Sequence, residues 1–245
     1  MTKIFAHRGS VIDRPENTMA AFRRAAEVGA DGIEFDVQFS KDDELVVIHD
    51  LTVDRTTEGT GLVRQHTFKE LRDLDAGGYF SPEYKGERIP HLTEVLDWLA
   101  GNDLLLNIEL KYLSLDYDNF EESILMEISK RKLEDRTIIS SFNHEALKKI
   151  NAMMPAVETG ILYMARLYEP WKYAELVGAK GLHPFIEGVD GPLVATAEQK
   201  GFPVRPFTVN DENKIASLIK AGCSAIITDD PKRAFEIKKQ ILNEG

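Results

Sequence analysis

Short apolar, β-branched segments alternate with helical patterns along almost all of this 245-residue chain, and that alternation admits few folds. Strand patterns lie at 3–6, around Glu34, and at 45–48, 104–110, 137–141, 159–163, 181–183, 204–208 and 225–228. Amphipathic stretches separate most of them, from the one carrying Met19, Phe22 and Ala26 to the closing one at 231–242. Strand–helix–strand units build parallel sheets with right-handed crossovers. These nine segments are enough for the eight strands of a closed (β/α)8 TIM barrel, whose typical length is about 250 residues. We therefore expect one domain over residues 1–245. An open, doubly wound sheet is the rival.

The rhythm breaks once. From 51 to about 90 the chain is rich in Thr, Gly and charge, as in Asp54-Arg55-Thr56-Thr57-Glu58-Gly59-Thr60-Gly61. A short helix is expected over 68–74, with Thr67 as its N-cap and Glu70 at the capping-box position. About 40 residues exceed an ordinary strand-to-helix loop. The segment reads as an insertion after the third strand, either a small lid or a solvated excursion.

Within 32–50 the polar residues are unusual. Glu34 and Asp36 lie two apart on a strand and so share a face. Their neighbours are apolar on both sides of the alternation, as in strands buried on both faces. Like charges there need a counter-charge, and a divalent cation held through oxygens supplies one. In a barrel the C-terminal ends of the strands form the active-site rim. His7 and Arg8 follow the first strand, Glu34 and Asp36 end the second, His49 the third, and Glu109 and Lys111 the fourth. His183, Thr208, Asn210 and Asp229 add later rim positions.

Three carboxylates suit Mg²⁺ or Ca²⁺, with Mn²⁺ a further option; zinc would instead favour the histidines. Arg8 and Lys111 would answer a phosphate, and His7 and His49 suit proton transfer near neutral pH. The constellation reads as metal-assisted phosphoryl transfer.

Bulk properties narrow the partners. A net charge of −11 argues against a general nucleic-acid binder, which needs a basic footprint. It leaves room for an anionic small molecule, because local cations outweigh a global balance. The lone Cys223 excludes an internal disulfide and fits a reducing compartment. No apolar run is long enough for a membrane span and the first residues lack a signal-peptide pattern, so a cytoplasmic location is the default. The sequence leaves homo-oligomerisation open.

The chain resembles the glycerophosphodiester phosphodiesterase family. The resemblance rests on His7-Arg8-Gly9, Pro15-Glu16-Asn17-Thr18, Glu34-Phe35-Asp36, His49-Asp50, Asn107-Ile108-Glu109-Leu110-Lys111, Thr208-Val209-Asn210 and Ile227-Thr228-Asp229-Asp230-Pro231. They occur in the family's order from the first strand to the last helix. The resemblance implies a TIM barrel with an insertion after the third strand. It implies a divalent metal on Glu34, Asp36 and Glu109, with His7 and His49 as general acid and base. Arg8 and Lys111 are implied on the phosphate, with Glu16 carried over as a further site residue.

The implied products are sn-glycerol 3-phosphate and an alcohol. The resemblance implies a hydroxyl of the substrate's own glycerol, or water, as the attacking group. Phe207 stands where the family often has Trp and would wall the substrate; barrel core is its other reading. Lysophospholipids are an alternative substrate class, since Tyr79, Phe80, Tyr84, Phe185 and Ile186 leave room for an apolar rim. A barrel that binds a phosphate metabolite without turning it over is the rival from another class. Tyr163, Tyr168 and Trp171 are either rim or packing residues. His66, His91 and His144 are expected to be structural or exposed, and Asp42-Asp43-Glu44 a solvated turn.

Overall fold

The computed structural model describes residues 1–112 and 118–243. Its strands are β1 (Lys3–His7), β2 (Gly32–Phe39), β3 (Leu45–Val47), β4 (Leu105–Leu110), β5 (Thr137–Ser141), β6 (Glu158–Tyr163), β7 (Gly181–Pro184) and β8 (Ala225–Thr228). They form one sheet in the order β7-β6-β5-β4-β2-β1-β8, with β3 attached to β2 off that path. All neighbours along the path are parallel.

The residues 203–209 join the two ends. Arg205 N–H donates to the Leu182 carbonyl at 2.8 Å and Phe207 N–H to that of Pro184 at 3.0 Å. On the other side, Ala225 and Ile227 donate to the carbonyls of Val204 and Pro206, and Val209 donates back to Ile227. Pro203 and Pro206 have no N–H to give, so the ladder is interrupted, yet the ring closes. This is the expected (β/α)8 barrel.

One strand departs from the expectation. The 45–48 segment is not a barrel stave. β3 runs antiparallel to β2, pairing Val37 with Val47 and Phe39 with Leu45. The acidic stretch from Asp42 to Glu44 is the exposed turn between them, as the sequence suggests. Leu45 and Val47 face the main core, whereas Val46 and Ile48 belong to a second apolar cluster with Val53, Val63, Leu71, Ala76 and Ile89. The 51–90 excursion thus covers the outer side of β3. Burial on both faces gives β3 the unbroken apolar sequence of a parallel stave.

The helices α1 (Met19–Glu27), α2 (Phe68–Asp73), α3 (Leu92–Ala100), α4 (Phe120–Lys130), α5 (His144–Met153), α6 (Pro170–Val177), α7 (Gly191–Gln199), α8 (Glu212–Lys220) and α9 (Pro231–Asn243) follow the expected pattern. α1 starts at Thr18, whose hydroxyl accepts from Ala21 N–H, and buries Met19, Ala21, Phe22 and Ala25. Phe22 packs its ring 5.6 Å from that of Phe35 on β2. Gly9 makes the approach of this helix feasible: its φ is +90°, and a Cβ there would lie 2.5 Å from Ala21 Cβ. α2 carries the anticipated capping box between Thr67 and Glu70.

Phe22 is fully buried between helix and barrel. Phe22→Ala is expected to cost about 3–5 kcal/mol in urea unfolding, from lost burial and the cavity left behind. A change below about 1 kcal/mol would contradict this packing.

Candidate active site

Strand register builds the site. Cα partners across the sheet align His7 with Glu34 and Glu34 with Asn107. One pleat further, Asp36 aligns with Glu109 and Glu109 with Ser140. Neighbouring strands lie about 4.8 Å apart, so aligned inward side chains must meet. Glu34, Asp36 and Glu109 each offer a carboxylate oxygen within 4.8 Å of the others. Asp36 is fully buried, and Glu34 and Glu109 are nearly so.

β2 continues past the rim and returns through the hairpin. Because β3 comes back antiparallel, Ile48 N–H reaches the Asp36 carbonyl at 3.1 Å, and His49 is delivered beside the carboxylates. Gln38, buried on the face shared with Glu34 and Asp36, fixes this return. Its side-chain amide donates to the carbonyls of Ile48, His49 and Asp50 at 2.9, 3.1 and 2.7 Å.

Two cations balance the cluster. Lys111 Nζ lies 2.5 Å from Glu109 Oε1 and 3.3 Å from Asp36 Oδ1. Arg8 turns at φ +56° after β1, donates its N–H to Glu34 Oε2 at 3.1 Å and holds Nε 3.5 Å from Asp36 Oδ2. Burial opposes the charge of both cations, but Asp36 and the other carboxylates outweigh it and raise their pKa values. Asn17 clamps Asp36 from below the helix start, donating Nδ2–H to Oδ2 at 2.9 Å.

The carboxylates respond unequally. Burial drives Glu34 well above the ordinary carboxylate range, helped by Asp36 and Glu109. Burial and Asp36 likewise push Glu109 up to about 7. Burial acts on Asp36 too, but Lys111, Arg8 and His49 overcome it and lower its pKa to about 2.

Both rim histidines rest on carboxylates. His7 Nδ1 is 2.7 Å from Asp229 Oδ1, and Asn210 Nδ2–H donates to Asp229 Oδ2 at 2.6 Å. His49 Nδ1 is 2.6 Å from Asp50 Oδ1. A proton on Nδ1 directed at a carboxylate leaves Nε2 as the exchanging nitrogen. Burial is the main cause lowering the His49 pKa, against the pull of Asp36. Glu16 sits behind Arg8, accepting from its Nη1 at 2.9 Å, and binds Arg55 of the excursion.

The donor set fits a hard divalent cation. It consists of carboxylate oxygens alone, gathered within 4.8 Å of one another, with Asp36 Oδ1 and Glu109 Oε1 both turned toward the Lys111 ammonium. Burial first, and the neighbouring carboxylates second, oppose the charge of Glu34 and Glu109, and an added cation would relieve both. A cleft lined by His7, Glu34, Asn107, Glu109, Ser140 and Phe207 opens beside them.

A sequence model of the glycerophosphoryl diester phosphodiesterase family matches residues 7–233. The chain belongs to that family. It is an enzyme, a glycerophosphodiester phosphodiesterase. A glycerophosphodiester phosphodiesterase of Caldanaerobacter subterraneus subsp. tengcongensis is 45% identical over 239 residues, spanning 98% of both chains. One from Bacillus altitudinis is 41% identical over 244 residues, covering 98% of this chain and all of its own. Among solved structures, an Oleispira antarctica phosphodiesterase in complex with the product sn-glycerol-3-phosphate superposes with a TM-score of 0.87. It is 31% identical, covering 98% of this chain and 97% of its own.

The structure gathers Arg8, Glu16, Glu34, Asp36, His49, Glu109 and Lys111 into one cluster, and His7, bonded to Asp229, lines the cleft beside Glu34 and Glu109. Phe207 lines the adjoining cleft, with Phe142 and Phe185 rings about 6 Å away. His183 does not join them. It is packed inside the barrel over Gly160, its Nε2 3.4 Å from Arg205 Nη1. Tyr163 is core, Tyr168 is exposed, and Trp171 packs outside the barrel against Lys200. His91 caps α3, while His66 and His144 bond to backbone carbonyls.

Asn17 and Gln38 were not anticipated as positioning residues. Gln38 carries a legible signal: it is the third polar residue on the inward face of β2, two after Asp36. Asn17 stands immediately before the helix N-cap at φ +53°, a conformation asparagine tolerates.

The electrostatics make a pH prediction for the protein stripped of divalent ions by EDTA. A raised carboxyl pKa stabilises the fold while the group is protonated. For Glu109 that contribution is full below its ordinary value of 4.5 and lost as pH rises through about 7. This contribution lowers urea midpoints across the interval against the opposite contribution of His49, and Glu109→Gln should remove it, making the variant's midpoint less downward-sloping than the wild type's. An identical slope in the variant would contradict the assignment.

Proposed function

We propose that this enzyme hydrolyses glycerophosphodiesters to sn-glycerol 3-phosphate and an alcohol, with His7 and His49 exchanging the protons. The carrying observation is that two imidazoles, each anchored through Nδ1 to a carboxylate, flank one buried carboxylate trio. A barrel that merely held a phosphate metabolite has no use for that pair.

Arg8 and Lys111 would bind the non-bridging phosphate oxygens, where Lys111 acts as a point charge and Arg8 through directed N–H groups. Glu34, Asp36 and Glu109 would hold one Mg²⁺, Ca²⁺ or Mn²⁺ ion. That ion, when bound, supplies charge neutralisation at the phosphate oxygens. One histidine takes the proton of the attacking hydroxyl as a new P–O bond forms. The other gives its proton to the ester oxygen as the old P–O bond breaks. The product bound in the Oleispira relative supports glycerol 3-phosphate as the phosphorylated product. No helix among the described residues is long and apolar enough to cross a membrane. The product bound in that relative makes a small polar glycerophosphodiester the first substrate class to test.

A second reading, toward lysophospholipids, draws on the half-exposed Phe142 beside Phe207 and Phe185. Such a wall suits an alkyl chain as well as glycerol carbons. Phe207→Ala should then alter the ratio of lysophospholipid to glycerophosphocholine turnover more than it alters metal affinity.

The test is release of glycerol 3-phosphate from glycerophosphocholine, glycerophosphoethanolamine and glycerophosphoglycerol in EDTA, then with Mg²⁺, Ca²⁺ or Mn²⁺ restored. Release should stop in EDTA and return with at least one metal. His7→Ala and His49→Ala should each lower kcat by about 10²–10⁴-fold, the range of general acid–base catalysis, without unfolding the protein. Full activity in EDTA, or in both histidine variants, would overturn the proposal.

A further inference from the structure

The Thr- and Gly-rich start of the excursion holds a residue that reaches back into the site. Val53 is buried in the second apolar cluster, and both Thr57 N–H and its hydroxyl bond to the Val53 carbonyl. This tight turn, with Thr56 and Thr57 buried, presents Arg55 toward the barrel rim. There the guanidinium uses two of its edges. Nη1 and Nη2 donate to Glu16 Oε2 and Oε1 at 2.6 and 2.8 Å. Nε and Nη2 donate to Asp50 Oδ2 and Oδ1 at 2.7 and 3.0 Å.

Each of those carboxylates holds a group of the proposed machinery. Glu16 Oε1 also accepts from Arg8 Nη1, and Asp50 Oδ1 also meets His49 Nδ1. A continuous chain of charge-assisted bonds therefore runs Arg8–Glu16–Arg55–Asp50–His49. Tyr79, also in the excursion, accepts the Glu16 N–H at 3.2 Å and ties the same loop a second time.

We propose that Arg55 is a positioning residue that fixes the phosphate-binding Arg8 and the proton-transferring His49 relative to each other, making the excursion part of the catalytic apparatus. This rests on the functional reading above. Two bidentate pairs on one cation need a planar fork, which lysine lacks. Arg55 is 45% exposed, but its pairs are bidentate and networked with the less exposed Glu16 and Asp50, so its loss should also lower stability modestly. The positioning role is the loss of turnover that exceeds any loss of folded protein.

The experiment compares wild type, Arg55→Ala and Arg55→Lys in glycerophosphocholine turnover and thermal unfolding. It also records the imidazole Nδ1–H proton resonance of His49. Both variants should lose about 10–100-fold in kcat/KM, as removal of a partner of an active-site ligand does, at temperatures where both remain folded. Free guanidinium ion should restore part of the alanine variant's activity, and the His49 resonance should move in both variants. Wild-type kcat/KM in either variant, or a loss that follows the unfolded fraction and ignores guanidinium, would overturn the role. If the wild type releases no glycerol 3-phosphate, the functional reading fails. The resonance then decides the bracket alone: a shift supports it and an unmoved line refutes it.

Discussion

Three carboxylates meet at the mouth of an apolar barrel, where water is scarce and like charges repel. Glu34 and Asp36 leave the same face of β2, and Glu109 faces Asp36 across the strand register. No rearrangement of side chains removes that repulsion, because the sheet itself sets the spacing. The surroundings answer it with Lys111 on one side and Arg8 on the other. Asn17 and the backbone N–H of Arg8 supply directed hydrogen bonds to the carboxylates. Asp36 emerges with its charge secured, whereas burial and its neighbours hold Glu34 and Glu109 toward protonation. A divalent cation would resolve the remaining imbalance, and the same positive charge would attract a phosphodiester.

The rest of the rim is arranged around that cluster. β1 carries His7 to the level of Glu34, where Asp229 takes its Nδ1. The hairpin of β2 and β3 sets Ile48 opposite Asp36 and so brings His49 back to the carboxylates, and Gln38 pins its backbone. The excursion after β3 buries the outer side of that hairpin and sends Arg55 between Glu16 and Asp50. The adjoining cleft adds apolar surface from Phe207, Leu162 and Ile227 beside Glu34 and Glu109. Charge and apolar surface in one cleft match a diester with a phosphate and a carbon-rich substituent.

Much of this architecture is legible in the sequence because parallel strands have a plain code. Alternation with helices implies the barrel, and carboxylates at two-residue spacing imply a shared inward face. The position of His49 is also legible, but through a route the sequence conceals. Val46 and Ile48 pack outward against the excursion while Leu45 and Val47 pack inward, so β3 reads like a stave although it is antiparallel. The stave that closes the barrel is legible at 204–208, although Pro203 and Pro206 break its ladder without breaking the ring. His183 looks like a rim residue by its place at a strand end, yet the absent side chain of Gly160 lets it turn inward. The bracket at Arg55 depends on contacts between residues 39 positions apart, which no local pattern announces.

The account stands or falls on whether the carboxylate trio is a cation site. Isothermal titration of the EDTA-treated protein with Mg²⁺, Ca²⁺ and Mn²⁺, alongside Asp36→Asn and Glu109→Gln, measures this without reference to turnover. The account predicts one divalent ion bound per chain for at least one metal, with binding lost or strongly weakened in both variants. Wild-type protein that binds none of the three, or variants that bind as the wild type does, would contradict it.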